Sequence, residues 1–395
     1  MVLYEREGKQ LLNTYRISIP RGVIAAHVDD TALGAWDTFP CIVKAQVLAG
    51  KRGISGGVKR ANSPDELRSI ASEFFSKKIC DDTVAAVLVE EAIPFEKEWY
   101  LAVTYSTRHR CPLLLFSFSG GSGVEHGKDA FELSIDPLRG FREHHARDFF
   151  IQCGIRGKDI LSLTACARSL VTLFFDEDAR LVEVNPLIKR PDTGELMALD
   201  AKIMLDDDAA YRHTRQLGAR TILGRWPTDR EKAVASIDQG EFYYRGTAGK
   251  YIEMDGDIAC LFSGGGASIS MMDALVSCGL KPANYTEYSG NPPRQKVYEL
   301  AKIVLSKPGL RGIWIVGGVA NFTHVGETMA GIADALRELR PVVPIVVRRA
   351  GPYEQEGRCL MEAVASACGL RLSWYGRDVS MTETAAILKN EIGIS

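Results

Sequence analysis

The sequence predicts an α/β chain in two parts, a mixed α+β first part followed by a doubly wound parallel-sheet part. Three observations predict it. The chain has 395 residues, enough for two or three domains. Residues 1–240 mix helical patterns with β-rich runs spaced like antiparallel neighbours. From residue 257 onward, short apolar runs alternate with helical patterns, and Gly-rich turns separate them.

The elements follow in order. Ser63-Pro64-Asp65-Glu66 reads as a capping box with Pro at the first helical position, opening a helix towards Phe75. Runs 83–92, 98–106 and 111–118, rich in Val, Leu, Tyr and Phe, are expected as neighbouring antiparallel strands. Residues 158–175 form an amphipathic pattern with Ile160, Leu161, Leu163, Leu170 and Phe174 among its apolar positions. Two strands, 180–189 and 195–204, flank the turn Pro191-Asp192-Thr193-Gly194. A polar stretch near 225–255 then changes the rhythm. Beyond it, strand 257–262 ends in Ser263-Gly264-Gly265-Gly266, and strands 311–316 and 343–348 follow between helices.

Composition narrows the function classes. The chain is 46% apolar and 25% charged, ordinary for a globular protein with a sizeable core. A formal charge of −2 gives no electrostatic footing for nucleic acid, which is bound by clustered Lys and Arg. No apolar run approaches the roughly 20 residues of a membrane helix. Residues 1–12 carry charges where a signal peptide needs its apolar stretch. Nine scattered cysteines without a CxxC pair predict neither a disulfide framework nor a thiolate metal site. A reducing cytoplasm is expected.

Three segments of the first part carry candidate chemistry. A strand delivers Lys44 to a loop holding Gly50, Lys51, Arg52, Gly53, Gly56 and Gly57. Such a loop either cradles phosphate with backbone N–H groups or is a flexible surface turn. Asn185, in Glu183-Val184-Asn185-Pro186, and Asp200 could meet across a hairpin as oxygen ligands for Mg²⁺, or serve as turn and strand-end caps. The strand end at Glu90, with Ile93 and Glu98 beyond it, could meet a nucleotide base and ribose, or be a solvated edge.

In the second part, Gly-rich turns gather at one sheet edge, where open α/β sheets bind ligands. Gly317-Gly318-Val319-Ala320-Asn321-Phe322-Thr323 precedes a helix expected to start near Thr323. Asn321 and Thr323 either bind an anion there or cap the helix. Arg348 and Arg349 end the next strand, and alternation lets at most one of them face a ligand.

The run KAQVLAGKRGISGGV, with EVNPL and the later LDAK, resembles the ATP-grasp β subunit of succinyl-CoA synthetases over nearly the whole chain. That resemblance implies an ATP-grasp domain over 1–240 and a flavodoxin-like CoA-ligase-type domain over 241–395. It implies that Lys44, Lys51, Arg52 and Gly53 face ATP phosphates. Glu90, Ile93 and Glu98 would line the nucleotide pocket, and Asn185 and Asp200 would hold Mg²⁺. EYSG (287–290), ANFT (320–323) and RRAGPYEQEG (348–357) resemble the citrate-binding region of ATP-citrate lyase rather than its succinate counterpart. Gly290, Gly318, Ala320, Asn321, Phe322, Thr323 and Arg349 would then form a citrate site. Ser263 stands where the succinate pattern has Asn.

In this family ATP phosphorylates a histidine, the phosphate passes to the acid, and CoA displaces it. None of the seven histidines sits in the GHAG setting expected for that role, so the resemblance places it on a partner subunit. His324 is the tempting exception. The partner would also supply most of the CoA site, and could be fused to a citrate-synthase-like lyase module. The expected activity is thus a subunit of ATP-citrate lyase or citryl-CoA synthetase. The alternative is a succinyl-CoA synthetase β subunit or another ADP-forming acyl-CoA synthetase.

Overall fold

Apolar runs become strands of three principal sheets, and each helix covers the sheet face whose side chains need burial. The computed structural model describes residues 1–50, 52–80, 82–121, 130–214, 217 and 226–393. It divides into two units, Met1–Trp226 and Pro227–Ser395.

The first unit opens with α1 (Glu5–Thr14), β1 (Gly22–Ala25), α2 (Thr31–Gly34), β2 (Cys41–Gln46) and β3 (Val58–Ala61). Then come α3 (Pro64–Ser76), the short β4 (Lys78–Ile79) and β5 (Asp82–Thr83), and β6 (Ala86–Glu91). β1, β6, β2 and β3 pair antiparallel in that order. α3 lays Leu67, Ala71 and Phe74, one helical face, onto a core with Val43, Ala45, Val87 and Val89. Ser63 caps α3 by accepting from Glu66 N at 3.3 Å. The Glu66 carboxylate reaches back to Asn62 N at 2.7 Å, so the expected box is displaced by one residue.

The unit continues with β7 (Lys97–Ser106), β8 (Cys111–Ser117), β9 (Phe131–Ser134), α4 (Glu143–Gln152) and α5 (Lys158–Asp176). It ends with β10 (Ala179–Lys189), β11 (Leu196–Ala198) and β12 (Lys202–Leu205). The second sheet runs β11-β10-β7-β8-β9, with β12 also on β10. Two of the three expected neighbours pair, as β7 and β8. The run 83–92 does not join them. It becomes β6, buried along most of its length between β1 and β2 in the other sheet. Sequential strands often pair, but spacing along the chain cannot reveal a change of sheet. α5 buries Leu163, Ala167, Leu170 and Phe174, whereas Leu161, off that stripe, is 66% exposed. The run 195–204 splits into β11 and β12, leaving Leu199, Asp200 and Ala201 as a break between them.

The second unit comprises α6 (Asp229–Ile237), β13 (Thr247–Glu253), β14 (Ile258–Ser263), α7 (Gly265–Ser277), β15 (Asn284–Ser289) and α8 (Arg294–Leu305). β16 (Gly312–Val319), α9 (Val325–Leu339), β17 (Ile345–Ala350), α10 (Glu354–Cys368), β18 (Leu372–Tyr375) and α11 (Glu383–Ile392) complete it. α6 buries Val234 and Ile237 in this core, which puts the division at 226/227 rather than 240/241. The sheet order is β13-β15-β14-β16-β17-β18. Its five parallel strands follow the flavodoxin order 2-1-3-4-5, and β13 adds an antiparallel edge. One face packs on α6, α8, α9 and α10, the other on α7 and α11. The Trp314 indole, fully buried, donates to Thr384 Oγ1 at 3.1 Å.

Helices α8 and α9 approach closely because Gly331 has no side chain. A Cβ there would stand 2.4 Å from the Arg294 carbonyl oxygen and 2.9 Å from Tyr298 N. Gly331→Val should therefore pry the helices apart and destabilise the second unit by about 1–3 kcal/mol, read as a lower urea midpoint.

Candidate functional site

The first unit holds a cavity of about 540 Å³ lined by the Gly-rich loop, β10 and the break after β11. Arg52, Gly53, Asn185 and Asp200 all line it. The loop is shaped by short backbone bonds, Gly57 N to Arg52 O at 2.7 Å and Gly56 N to Gly53 O at 3.2 Å. Gly56 has φ +76°, where a glycine is favoured. Gly57 passes so near Ile79 that a Cβ would sit 2.9 Å from its Cγ2. Lys51 lies outside the described residues.

Asn185 is pinned at the cavity wall by the Gly121 backbone. Its Oδ1 accepts from Gly121 N at 2.6 Å, and its Nδ2 donates to Gly121 O at 3.1 Å. Asp200 accepts from Arg52 Nη2 at 2.9 Å and from Ala201 N at 2.7 Å. Two oxygen-bearing side chains on one wall are a hard donor set suited to Mg²⁺, with phosphate and water as its other ligands.

The wall continues inward into a buried ionic cluster that local sequence did not announce. Glu5, at the start of α1, is 3% exposed. It meets Lys44 at 2.8 Å and Lys9 at 2.9 Å, and pairs with the Arg52 guanidinium. Glu90 meets Lys9 at 2.5 Å and Lys44 at 2.8 Å. Lys44 also donates to Leu199 O at 2.5 Å. Burial by itself would raise the Glu5 carboxyl; Arg52, Lys44 and Lys9 override it and hold the group well below the usual carboxylate range. Burial likewise opposes the Lys44 charge, and Glu5, Glu90 and Asp200 more than offset it.

Of the expected nucleotide residues, Lys44 and Glu90 therefore stand one layer behind the cavity, tied to each other. Ile93 follows β6, and Glu98 lies in β7 opposite Ile188; neither lines this cavity. Glu5 and Glu183 do line it and were not singled out. Glu183 was within reach of sequence reasoning, two residues before Asn185. Glu5 was not, because its partners are distant in the chain.

In the second unit the strand ends of the parallel sheet converge at the switch point between β14 and β16. Arg348 and Arg349 point to opposite faces, as alternation requires. Arg348 is occupied by backbone, donating to Val379 O and Gly317 O, each at 2.9 Å. Arg349 is 1% exposed and spends one contact on Gly318 O, from Nη1 at 3.1 Å. Its Nε and Nη2 have no hydrogen-bond partner among the described residues. A buried guanidinium with two unmet donors is costly unless a ligand meets them.

Of the other expected residues, Gly318 is the one that touches this Arg, through its carbonyl oxygen. Gly290 has φ +69°, Ala320 N donates to Ala350 O at 2.8 Å, Thr323 is buried, and Asn321 and Phe322 are exposed. The helix starts later than expected. His324 caps α9, its Nδ1 accepting from Glu327 N at 3.0 Å, so neither Asn321 nor Thr323 serves as the cap. The His324 ring stacks on Tyr353 at 3.7 Å. A ring nitrogen that accepts a backbone N–H places the ring proton on Nε2 and gives His324 a structural task. The Ser263–Gly266 turn meets the chain's own carboxylate, since a Cβ on Gly265 would stand 3.0 Å from Glu287 Oε1.

Comparison with known proteins agrees with both halves. Residues 2–189 match the ATP-grasp domain family, and residues 225–390 match the ATP citrate lyase citrate-binding family. The succinate–CoA ligase [ADP-forming] β subunit of Desulfurococcus amylolyticus is 35% identical over 370 residues, 91% of this chain and 93% of that protein. That of Syntrophotalea carbinolica is 33% identical over 390 residues, 95% of each. The fold resembles the structure of ATP citrate lyase from Methanothrix soehngenii in complex with citrate and coenzyme A. The TM-score is 0.76 at 22% identity, over 99% of both chains. The chain belongs to the succinate–CoA ligase β-subunit family, and is an ATP-dependent acid–CoA ligase subunit that joins an ATP-grasp domain to a citrate-binding domain of the ATP citrate lyase type.

Proposed function

We propose that this chain uses Mg-ATP to phosphorylate a histidine of a partner subunit and holds citrate for conversion to citryl phosphate and citryl-CoA. The observation that carries the acid assignment is Arg349, buried at a strand end with a whole edge of its guanidinium unpartnered among the described residues. A carboxylate is the group that matches such an edge in two parallel bonds.

The nucleotide assignment rests on the loop-walled cavity and its charges. Lys9, Lys44 and Arg52 face Glu5, Glu90 and Asp200, three cations against three carboxylates. A cluster so balanced offers little surplus charge to a free triphosphate, so the nucleotide must arrive with its own counter-ion. Asn185 and Asp200 would hold Mg²⁺, which neutralises phosphate charge when bound. Arg52 and the backbone of Gly53 would meet the phosphates, with Lys44 behind them. The partner would carry the phosphorylated histidine and most of the CoA site, since His324 is engaged in capping α9.

Arg349→Ala should weaken citrate binding by roughly 2–5 kcal/mol and leave Mg-ATP affinity nearly unchanged. Calorimetry on the full chain reads both, and unaltered citrate affinity would remove Arg349 from the site. With its co-purified partner, the chain should release ADP in response to citrate rather than succinate. The opposite preference assigns it to the succinate enzymes.

Glu5→Gln should destabilise the first unit by about 3–5 kcal/mol at neutral pH, because three buried cations lose their shared anion. The depressed Glu5 carboxyl contributes stability above its unfolded value, about 4.3, and loses it as pH falls through the lower folded value. The acid limb of a denaturation-against-pH series should accordingly be shallower in Glu5→Gln than in the wild type.

A further inference from the structure

Four adjacent strands end in a row at the floor of the acid cradle. β15 contributes Tyr288, β14 Ser263, β16 Gly317 and β17 Arg349. Ser263 is in register with Tyr288 on one side and with Gly317 on the other. The Arg349 side chain crosses β16 above Gly317, where a Cβ would lie 2.2 Å from its Nη1 and 2.8 Å from the Ser263 Cβ. Only a residue without a side chain leaves that path open.

At the far end of the row, Tyr288 is fully buried and its hydroxyl has no hydrogen-bond partner among the described residues. A buried phenol usually finds one. Burial pushes the Tyr288 phenol up and the Arg349 charge pulls it partly back, so the two groups feel one another and the hydroxyl remains a donor. The unpartnered atoms of Arg349, Nε and Nη2, form a single edge of the planar guanidinium. Register thus places three donors, all buried and unmet among the described residues, along one row of the sheet. One carboxylate has lone pairs enough for all three.

We propose that Tyr288 is a ligand-binding residue of the acid site, its hydroxyl donating to the same carboxylate that Arg349 grips. The inference rests on the reading of this cradle as the acid site. It extends that site from the strand-end turns down to the sheet floor, and it makes the hydroxyl part of the selection of the acid.

The test is Tyr288→Phe in the full-length chain, titrated calorimetrically with citrate, with tricarballylate (citrate without its hydroxyl) and with succinate. Citrate affinity should fall about ten-fold or more, the worth of a hydrogen bond to a charged group. Tricarballylate should lose the same factor, because the contact is to a carboxylate. Mg-ATP affinity should not move, and the ligand-free melting temperature should hold or rise, because the deleted hydroxyl had no partner. Unchanged citrate affinity overturns the proposal, and so does a fall in ligand-free melting temperature that accounts for the weaker binding. A wild-type chain that takes succinate and not citrate overturns the citrate reading instead. The same variant titrated with succinate then reads the hydroxyl independently.

Discussion

Glu5 is the constraint on which the nucleotide half depends. One carboxylate at the first turn of α1 is shared by Lys9, Lys44 and Arg52. Through them it fastens α1, β2, the Gly-rich loop and the break between β11 and β12 into one wall. Charges so deeply buried are tolerated only in mutual contact, since removing any one leaves its partners desolvated and unpaired. The wall is therefore set in position before any nucleotide arrives. Such prior ordering reduces what a ligand must organise on binding.

The acid half follows the opposite logic. Its central cation is not satisfied by the protein. Arg349 is as thoroughly buried as Glu5, yet an edge of its guanidinium is unanswered among the described residues, while its neighbour Arg348 donates to two backbone carbonyls. Two adjacent arginines thus differ, one tied to backbone carbonyls and one that we propose meets a ligand. A self-satisfied site and an unsatisfied one sit on two units of the same chain. That division suits a nucleotide that brings Mg²⁺ and an acid that brings only negative charge.

Much of this was legible because its signals are local. The strand–turn–helix rhythm after residue 257 gave the doubly wound sheet, and the motif order around Lys44, Asn185 and Asp200 gave the nucleotide half. Alternation along β17 foretold that the two arginines would have different surroundings. The larger losses were long-range. Nothing near Glu5 announces partners in β2 and beyond Gly50, and nothing in 83–92 says that this strand leaves its sequence neighbours for another sheet. The cap of α9 fell to His324, a residue type that seldom caps, so Asn321 and Thr323 looked like the better candidates. Tyr288 lies within a segment already singled out, but its isolation emerges only from the burial of its hydroxyl.

Gly317 has a consequence for how this site can change over time. Its bare backbone is the passage through which the Arg349 side chain reaches the floor of the sheet. Any side chain at 317 would be felt first at 349, so the two positions form an epistatic pair whose substitutions cannot be additive. A lineage could enlarge residue 317 only together with a shorter residue 349, and would then give up the buried guanidinium.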